Sequence, residues 1–327
     1  MSERIRRIAV LTSGGDSPGS NACIRAVVRT ALHLGWQVWG VRDGFQGLLH
    51  SDFVQLTSRS VSHIIGQGGT FLGSSRSDAF RSSTGLREAL HHLNLMGIQG
   101  LVIIGGDGTM RGAHALAEAG FAVVGVPATI ENDVCGTDVS IGVDTALNTA
   151  LDALDRIKDT ASSHEQAFLV EVAGRNCGYM ALMAAIAGGA EMVCIPEMPF
   201  TIEQVVREVA DAYVRGKRHC IIIVAAGAKP TASEMAATLA ERREEIGFNV
   251  RLSILGHVQR GGSPMARDRF LATRFGAAAV TLLREGQSDV IVGLVDGEIV
   301  SIPLAEVVAC MRTISESDYQ MAEMLAR

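Results

Sequence analysis

Apolar positions along this chain switch between two patterns, and each switch marks a new element. Short runs of β-branched and aliphatic residues at 8–11, 37–42, 101–104, 122–126, 167–172, 192–195, 220–225 and 289–294 predict buried strands. Between them, apolar residues recur at spacings of three and four. This predicts helices over 22–34, 86–95, 110–119, 145–160, 178–187, 202–215, 232–243 and 265–284. In 145–160 the repeat is Leu147, Ala150, Leu151, Leu154 and Ile157. A strand-like piece at 253–255 precedes the last long helix. Strands alternating with helices predict an α/β protein with parallel sheets covered on both faces. The length of 327 residues favours two lobes over one, with a cleft expected between them.

Composition narrows the classes. The chain is 47% hydrophobic and 20% charged, as globular proteins are. A net charge of −6 without a basic run argues against nucleic acid, and the few aromatics argue against a base-stacking surface. No apolar stretch approaches a membrane span, and the N-terminus carries no leader-like apolar segment. Cys23, Cys135, Cys177, Cys194, Cys220 and Cys310 are scattered, with no Cys-x-x-Cys pair. They are expected to be reduced thiols of a cytoplasmic protein rather than disulfides or a zinc site.

The chemistry gathers in four polar loops, each after a predicted strand. Leu101 to Thr109, Leu-Val-Ile-Ile-Gly-Gly-Asp-Gly-Thr, ends a buried run in three glycines around one carboxylate. The glycines let backbone N–H groups approach a phosphate chain, and Asp107 offers an oxygen to a phosphate-bound Mg²⁺. The following helix would aim its positive end at the same place. The loop 12–21 is a second Gly-rich cradle, 129–133 carries Glu131 and Asp133, and 256–264 joins His257 and Arg260 to two glycines, which suits a phosphate monoester. A capped turn would explain any one of these loops. Four together, at the carboxyl ends of strands, point to a site for nucleotide and phosphate.

Five segments carry a resemblance: Thr-Ser-Gly-Gly-Asp-Ser-Pro-Gly-Ser-Asn (12–21), Gly-Gly-Thr-Phe-Leu-Gly-Ser-Ser-Arg (68–76), Gly-Gly-Asp-Gly-Thr (105–109), Pro-Ala-Thr-Ile-Glu-Asn-Asp (127–133) and Leu-Gly-His-Val-Gln-Arg-Gly-Gly-Ser-Pro (255–264). In order and spacing they are similar to the signature segments of the bacterial ATP-dependent 6-phosphofructokinases. The Gly-Gly-Asp-Gly piece alone also occurs in NAD kinases and diacylglycerol kinases; the first and last segments single out the phosphofructokinases. The resemblance implies two Rossmann-like three-layer lobes with mainly parallel sheets. The ATP lobe would comprise 1–142 plus about 259–309, and the sugar-phosphate lobe 143–258 plus about 310–327.

It also implies transfer of the ATP γ-phosphoryl group to the 1-hydroxyl of fructose 6-phosphate, with Mg²⁺, in a cytoplasmic homotetramer. Gly15, Arg76, Ser77, Gly106, Gly108 and Thr109 would hold ATP, and Asp107 the metal. Arg76 and Arg175 would stabilise the moving phosphoryl group. Thr129 would orient the sugar hydroxyl and Glu131 would be the general base. Ala173 and Gly174 would line the sugar. His257 and Arg260, with Arg251 from a neighbouring subunit, would grip the 6-phosphate. Pyrophosphate-using relatives have Asp at the position of Gly108 and Lys at that of Ala128, so small residues here favour ATP.

Three positions depart from the family pattern, all on the sugar side: Glu131 stands for an Asp, Gln166 for an Arg that crosses a subunit boundary, and Ala226 for a Glu. Two readings follow. One is a working kinase for fructose 6-phosphate or a related sugar phosphate. The other is a weakly active or regulatory homologue that binds nucleotide. An effector site is also implied, formed by Arg25, Arg29, Lys158, Gly189, Glu191, Arg215, Lys217, Arg218 and His219, for ADP and phosphoenolpyruvate. An Arg usual there aligns with Ser58, beside Arg59.

Overall fold

The computed structural model describes residues 5–75 and 77–326. The expected alternation is present as eleven strands and twelve α-helices among these residues. In the first half they are β1 (Arg7–Ser13), α1 (Ser20–His33), β2 (Gln37–Val41), α2 (Gly44–Leu49), β3 (Phe53–Leu56), α3 (Ser83–Leu95), β4 (Gly100–Gly105), α4 (Asp107–Glu118), β5 (Val123–Pro127) and α5 (Val143–His164). There follow β6 (Gln166–Val172), α6 (Tyr179–Gly188), β7 (Met192–Cys194), α7 (Ile202–Val214), β8 (Cys220–Ala225), α8 (Ala232–Glu241), α9 (Arg243–Ile246) and β9 (Asn249–Ile254). The chain closes with α10 (Ala266–Arg284), β10 (Val290–Val295), β11 (Glu298–Pro303), α11 (Leu304–Ala309) and α12 (Glu316–Leu325).

The chain divides into two compact units. Unit 1 holds residues up to 130, 134–145 and 260–311; unit 2 holds 131–133, 146–259 and 312 onward. Unit 1 is built on a seven-stranded sheet in the order β11-β10-β5-β4-β1-β2-β3. Its central strands are parallel, while β3 and β11 close the edges antiparallel. Every residue of β4 is buried, as its unbroken apolar run requires. One face packs Leu101, Ile103 and Met110 against Phe45, Leu93 and Leu116. On α10, Gly276 permits close helix packing: a Cβ there would lie 2.7 Å from the Cys23 carbonyl oxygen and 2.8 Å from the Ala26 Cβ of α1.

Unit 2 is built on a four-stranded, wholly parallel sheet, β7-β8-β6-β9. Phe168 and Val170 of β6 face one core with Leu154 of α5 and Ala181 of α6, while Ala167 and Leu169 face another with Val205 of α7 and Leu239 of α8. Thr201 and Thr231 start α7 and α8 with reciprocal capping boxes to Gln204 and Glu234.

Several elements differ from the sequence reading. β9 begins four residues before the expected strand, because Asn249, Arg251 and Ser253 give this edge strand a half-polar pattern. The edge strands β3 and β11 were not expected. β11 follows a two-residue Asp296–Gly297 turn with positive φ at both positions (51° and 85°), a hairpin signal that was present in the sequence. Helix α4 starts at Asp107, taking the Gly-rich loop's end into its first turn. The expectation of thiols throughout is corrected: Cys135 and Cys310 form a disulfide. The end of α11 and the loop after β5 bring their Cα atoms to 6.1 Å, within bridging range, across 175 residues of sequence that no spacing rule sees. Cys23, Cys177, Cys194 and Cys220 are free and buried, and burial pushes the Cys177 thiol up to about 11.

Candidate active site

The sheet order of unit 1 creates a candidate binding crevice. β1 pairs with β2 on one side and β4 on the other, so successive connections leave β1 in opposite directions. Such a switch point opens a crevice at the carboxyl ends of the strands. Ser13–Gly15 and Gly105–Thr109 meet there, in register through Ser13 opposite Gly105. The Thr109 hydroxyl donates to the Ser13 carbonyl at 3.1 Å and ties the two loops.

The glycines of these loops serve different ends. A Cβ on Gly105 would collide with the Ser13 carbonyl oxygen and lie 2.8 Å from the Thr109 Cβ, so the fold itself requires glycine there. A Cβ on Gly108 would meet nothing within 4 Å. The protein leaves that space open. Asp107 is the first residue of α4, and its carboxylate is held by the Arg111 fork, Nε to Oδ2 and Nη2 to Oδ1, both at 3.1 Å. A single accessible carboxylate at a helix N-terminus fits Mg²⁺, which keeps several waters and takes further oxygens from phosphates.

Hydroxyl and amide groups stitch the segment 67–75 onto this crevice. Thr12 Oγ1 donates to Gly73 O at 2.7 Å and Ser74 Oγ to Gly14 O at 2.7 Å. Asn21 donates to Gln67 O at 3.1 Å and Gly68 O at 3.2 Å, and accepts from Phe71 N at 2.6 Å. Asn21 and Ser74 lie inside the quoted motifs, yet sequence reasoning gave them no role. Ser77 Oγ accepts from Phe80 N at 3.3 Å, heading the next turn. Arg76 lies outside the described residues. Arg260 does not stand apart from this crevice: its Nη1 donates to Asp16 O at 3.5 Å, and its guanidinium fills the space a side chain on Gly15 would take.

In unit 2, Glu131 is 5% exposed and held by Arg175. The Arg175 backbone N–H donates to Oε2 at 2.9 Å and its Nε to Oε1 at 3.3 Å. The Arg175 loop is fixed in turn: Gly174 has φ 137°, where a Cβ would lie 2.7 Å from Cys177 O, and Gly227 N donates to Gly174 O at 2.9 Å. Gln259, fully buried, accepts from Ala173 N at 3.2 Å and donates to Gly256 O at 3.0 Å. It splices the 3-10 turn Gly256–Arg260 to the end of β6. Sequence reasoning missed it, although it sits between His257 and Arg260 in the last motif. Ala226, after β8, is exposed and donates its N–H to Val172 O at 3.0 Å.

Gln166 and Arg251 are not brought to this loop cluster. Gln166 opens β6 opposite Asn249, and Arg251 of the edge strand β9 pairs with Phe168. At 3.3 Å per residue, Phe168 is about 16 Å along the strand from Ala173. Thr129 sits in unit 1, its N–H donating to Ile141 O at 3.1 Å beyond β5.

The phosphofructokinase family profile matches residues 7–283. An ATP-dependent 6-phosphofructokinase of Natranaerobius thermophilus is 48% identical over 320 residues, covering 98% of both chains. ATP-dependent 6-phosphofructokinase 1 of Thermus thermophilus is 49% identical over 323 residues, 98% of this chain and all of that one. Among solved structures, phosphofructokinase from Saccharomyces cerevisiae superposes with a TM-score of 0.84 at 37% identity, over 93% of this chain and 45% of that one.

The chain belongs to the phosphofructokinase family.

The residues expected to form a phosphofructokinase effector site divide between the units. In unit 2, Glu191 accepts from Lys217 Nζ at 3.0 Å and from Ile221 N at 2.7 Å. Lys158 donates to Gly188 O, beside Gly189. His219 Nδ1 lies 2.8 Å from Ser162 Oγ, Arg215 donates to Glu208 at 2.8 Å, and Arg218 is exposed. A cavity of about 340 Å³ opens at Gly189 and Glu191, walled also by Arg207 and Tyr319. In unit 1, Arg25 and Arg29 share a face of α1; burial first, and the Arg29 charge second, lower the pKa of Arg25. No helix among the described residues is long and apolar enough to cross a membrane.

Proposed function

We propose that this phosphofructokinase phosphorylates fructose 6-phosphate at its 1-hydroxyl by direct in-line transfer from ATP, a step of glycolysis. The observation that carries the donor assignment is the open space beside Gly108, next to Asp107 at the head of α4. No side chain stands there to obstruct the diphosphate of a large leaving group. Gly15, Ser77, Gly106 and Thr109, with Arg76, hold the triphosphate, and Asp107 holds Mg²⁺. When bound there, the ion neutralises charge between the phosphates.

Glu131 accepts the proton of the sugar hydroxyl that Thr129 orients. Arg175 keeps the carboxylate aimed, then turns its charge toward the transferring phosphoryl group. His257 and Arg260 take the 6-phosphate, with Arg251 and Gln166 supplied by a neighbouring subunit of a homotetramer. The placement of Arg251 and Gln166 far along the strands from Ala173 supports a role in another copy's site. Ala173, Gly174 and Ala226 border the sugar. ADP and phosphoenolpyruvate act at the cluster of Arg25, Arg29, Lys158, Gly189, Glu191, Arg215, Lys217, Arg218 and His219, and the enzyme works in the cytoplasm.

Steady-state rates with ATP and with pyrophosphate, each with Mg²⁺ and fructose 6-phosphate, test the donor assignment. ATP is expected to be turned over and pyrophosphate not. Comparable rates with both would overturn it. Titration with ADP and phosphoenolpyruvate is expected to shift the sugar-phosphate saturation curve; no shift with either removes the effector role.

A further inference from the structure

Gly15 belongs to the nucleotide loop, but its surroundings tie it to the acceptor. The three atoms nearest an added Cβ all belong to Arg260: Nη1 would overlap it, Cζ would lie at 2.9 Å and Nη2 at 3.3 Å. Arg260 also reaches Asp16 O, so its guanidinium rests along the Gly15–Asp16 backbone. Gly15 lies outside the left-handed region, so its glycine is not required by backbone conformation. What the missing side chain provides here is a seat for a cation.

We propose that Gly15 is a positioning residue for the sugar phosphate: the absence of its side chain sets where Arg260 presents its charge to the 6-phosphate. This rests on the reading of Arg260 as a 6-phosphate ligand. The donor loop then helps to define the acceptor site, and a methyl group on it disturbs sugar-phosphate binding with no nucleotide present. An arginine–phosphate pair depends on its fork geometry, so a displaced guanidinium loses much of the interaction.

The test measures fructose 6-phosphate binding by calorimetry without nucleotide, in the full-length protein and in Gly15→Ala, Arg260→Ala and the double variant. Gly15→Ala places no side chain in the left-handed region, and the three atoms nearest its Cβ belong to the end of a flexible side chain, so it is expected to fold, with melting as the check. Its Kd for fructose 6-phosphate should rise about ten-fold or more, the scale of one charge-assisted hydrogen bond. In the Arg260→Ala background the same change should add less than about two-fold, since coupled sites are non-additive. Fully multiplicative effects would overturn the proposal. So would an unchanged Kd in Gly15→Ala while Arg260→Ala weakens binding. An unchanged Kd in Arg260→Ala would instead remove the assignment of Arg260 itself, and the proposal with it.

Discussion

Glu131→Gln separates the chemistry of this carboxylate from its structural role. Glu131 is 5% exposed and accepts two hydrogen bonds from Arg175, at 2.9 and 3.3 Å. Glutamine has the same shape and keeps one acceptor oxygen for the Arg175 N–H. Of the two bonds from Arg175, the one lost is that to Nε, from an arginine whose side chain is 58% exposed. Solvent screening holds the value of such a pair to about 1 kcal/mol or less. For a chain of this size that is a melting shift of about 2–4 °C at most. Loss of a general base costs about 10²- to 10⁴-fold in kcat, or roughly 3–5 kcal/mol of barrier. The catalytic effect therefore exceeds the structural one several-fold in free energy, and the two are measured independently. A coupled assay of ADP release, at saturating ATP and fructose 6-phosphate, should show kcat reduced at least a hundred-fold, with a melting temperature within a few degrees of the parent. A variant that retains kcat within ten-fold refutes the assignment of Glu131 as base.

Other expectations follow from particular contacts. Gly108→Asp places its side chain in open space, so stability should hold while kcat/KM for ATP falls by about ten-fold or more, the cost of setting a carboxylate against phosphates; unchanged ATP kinetics would mean that the space is not used. Thiol titration of the denatured, unreduced protein should find four groups, rising to six after reduction, and Cys310→Ser should lower stability by about 2–4 kcal/mol. Asp268, 1% exposed, accepts from Gly142 N, Thr145 N and Thr145 Oγ1 at 2.6–2.8 Å, yet burial outweighs these bonds and raises its pKa. Above its ordinary value and up to the raised one, the native state binds the extra proton, so stability from this group falls as pH rises through that window. Denaturant melts across acidic pH should lose that slope in Asp268→Asn, and an unchanged slope would contradict the burial argument.

Legibility in the sequence followed physical range. Buried central strands such as 101–104 were readable because both their faces are covered and no polar residue interrupts them. The edge strand β9 was misplaced because half its residues face outward, and β11 was passed over although Asp296–Gly297 announced its turn. The Gly-rich loops after β1 and β4 stood out only in combination, since a capped turn explains either one alone; the sheet register that sets Ser13 opposite Gly105 is what brings them together. The role of Gln259 was not, since a buried amide that bonds two backbone groups leaves no mark in composition or spacing. The Cys135–Cys310 bridge and the seat of Arg260 beside Gly15 were beyond reach for the same reason: each joins positions far apart in the chain.

The most direct measurement is formation of fructose 1,6-bisphosphate by the purified protein from ATP, Mg²⁺ and fructose 6-phosphate, run beside Asp107→Ala. Turnover of about 1–100 s⁻¹, the range of kinases, is predicted for the parent, with loss of nearly all of it in the variant. Turnover in the parent no greater than in Asp107→Ala would contradict the account.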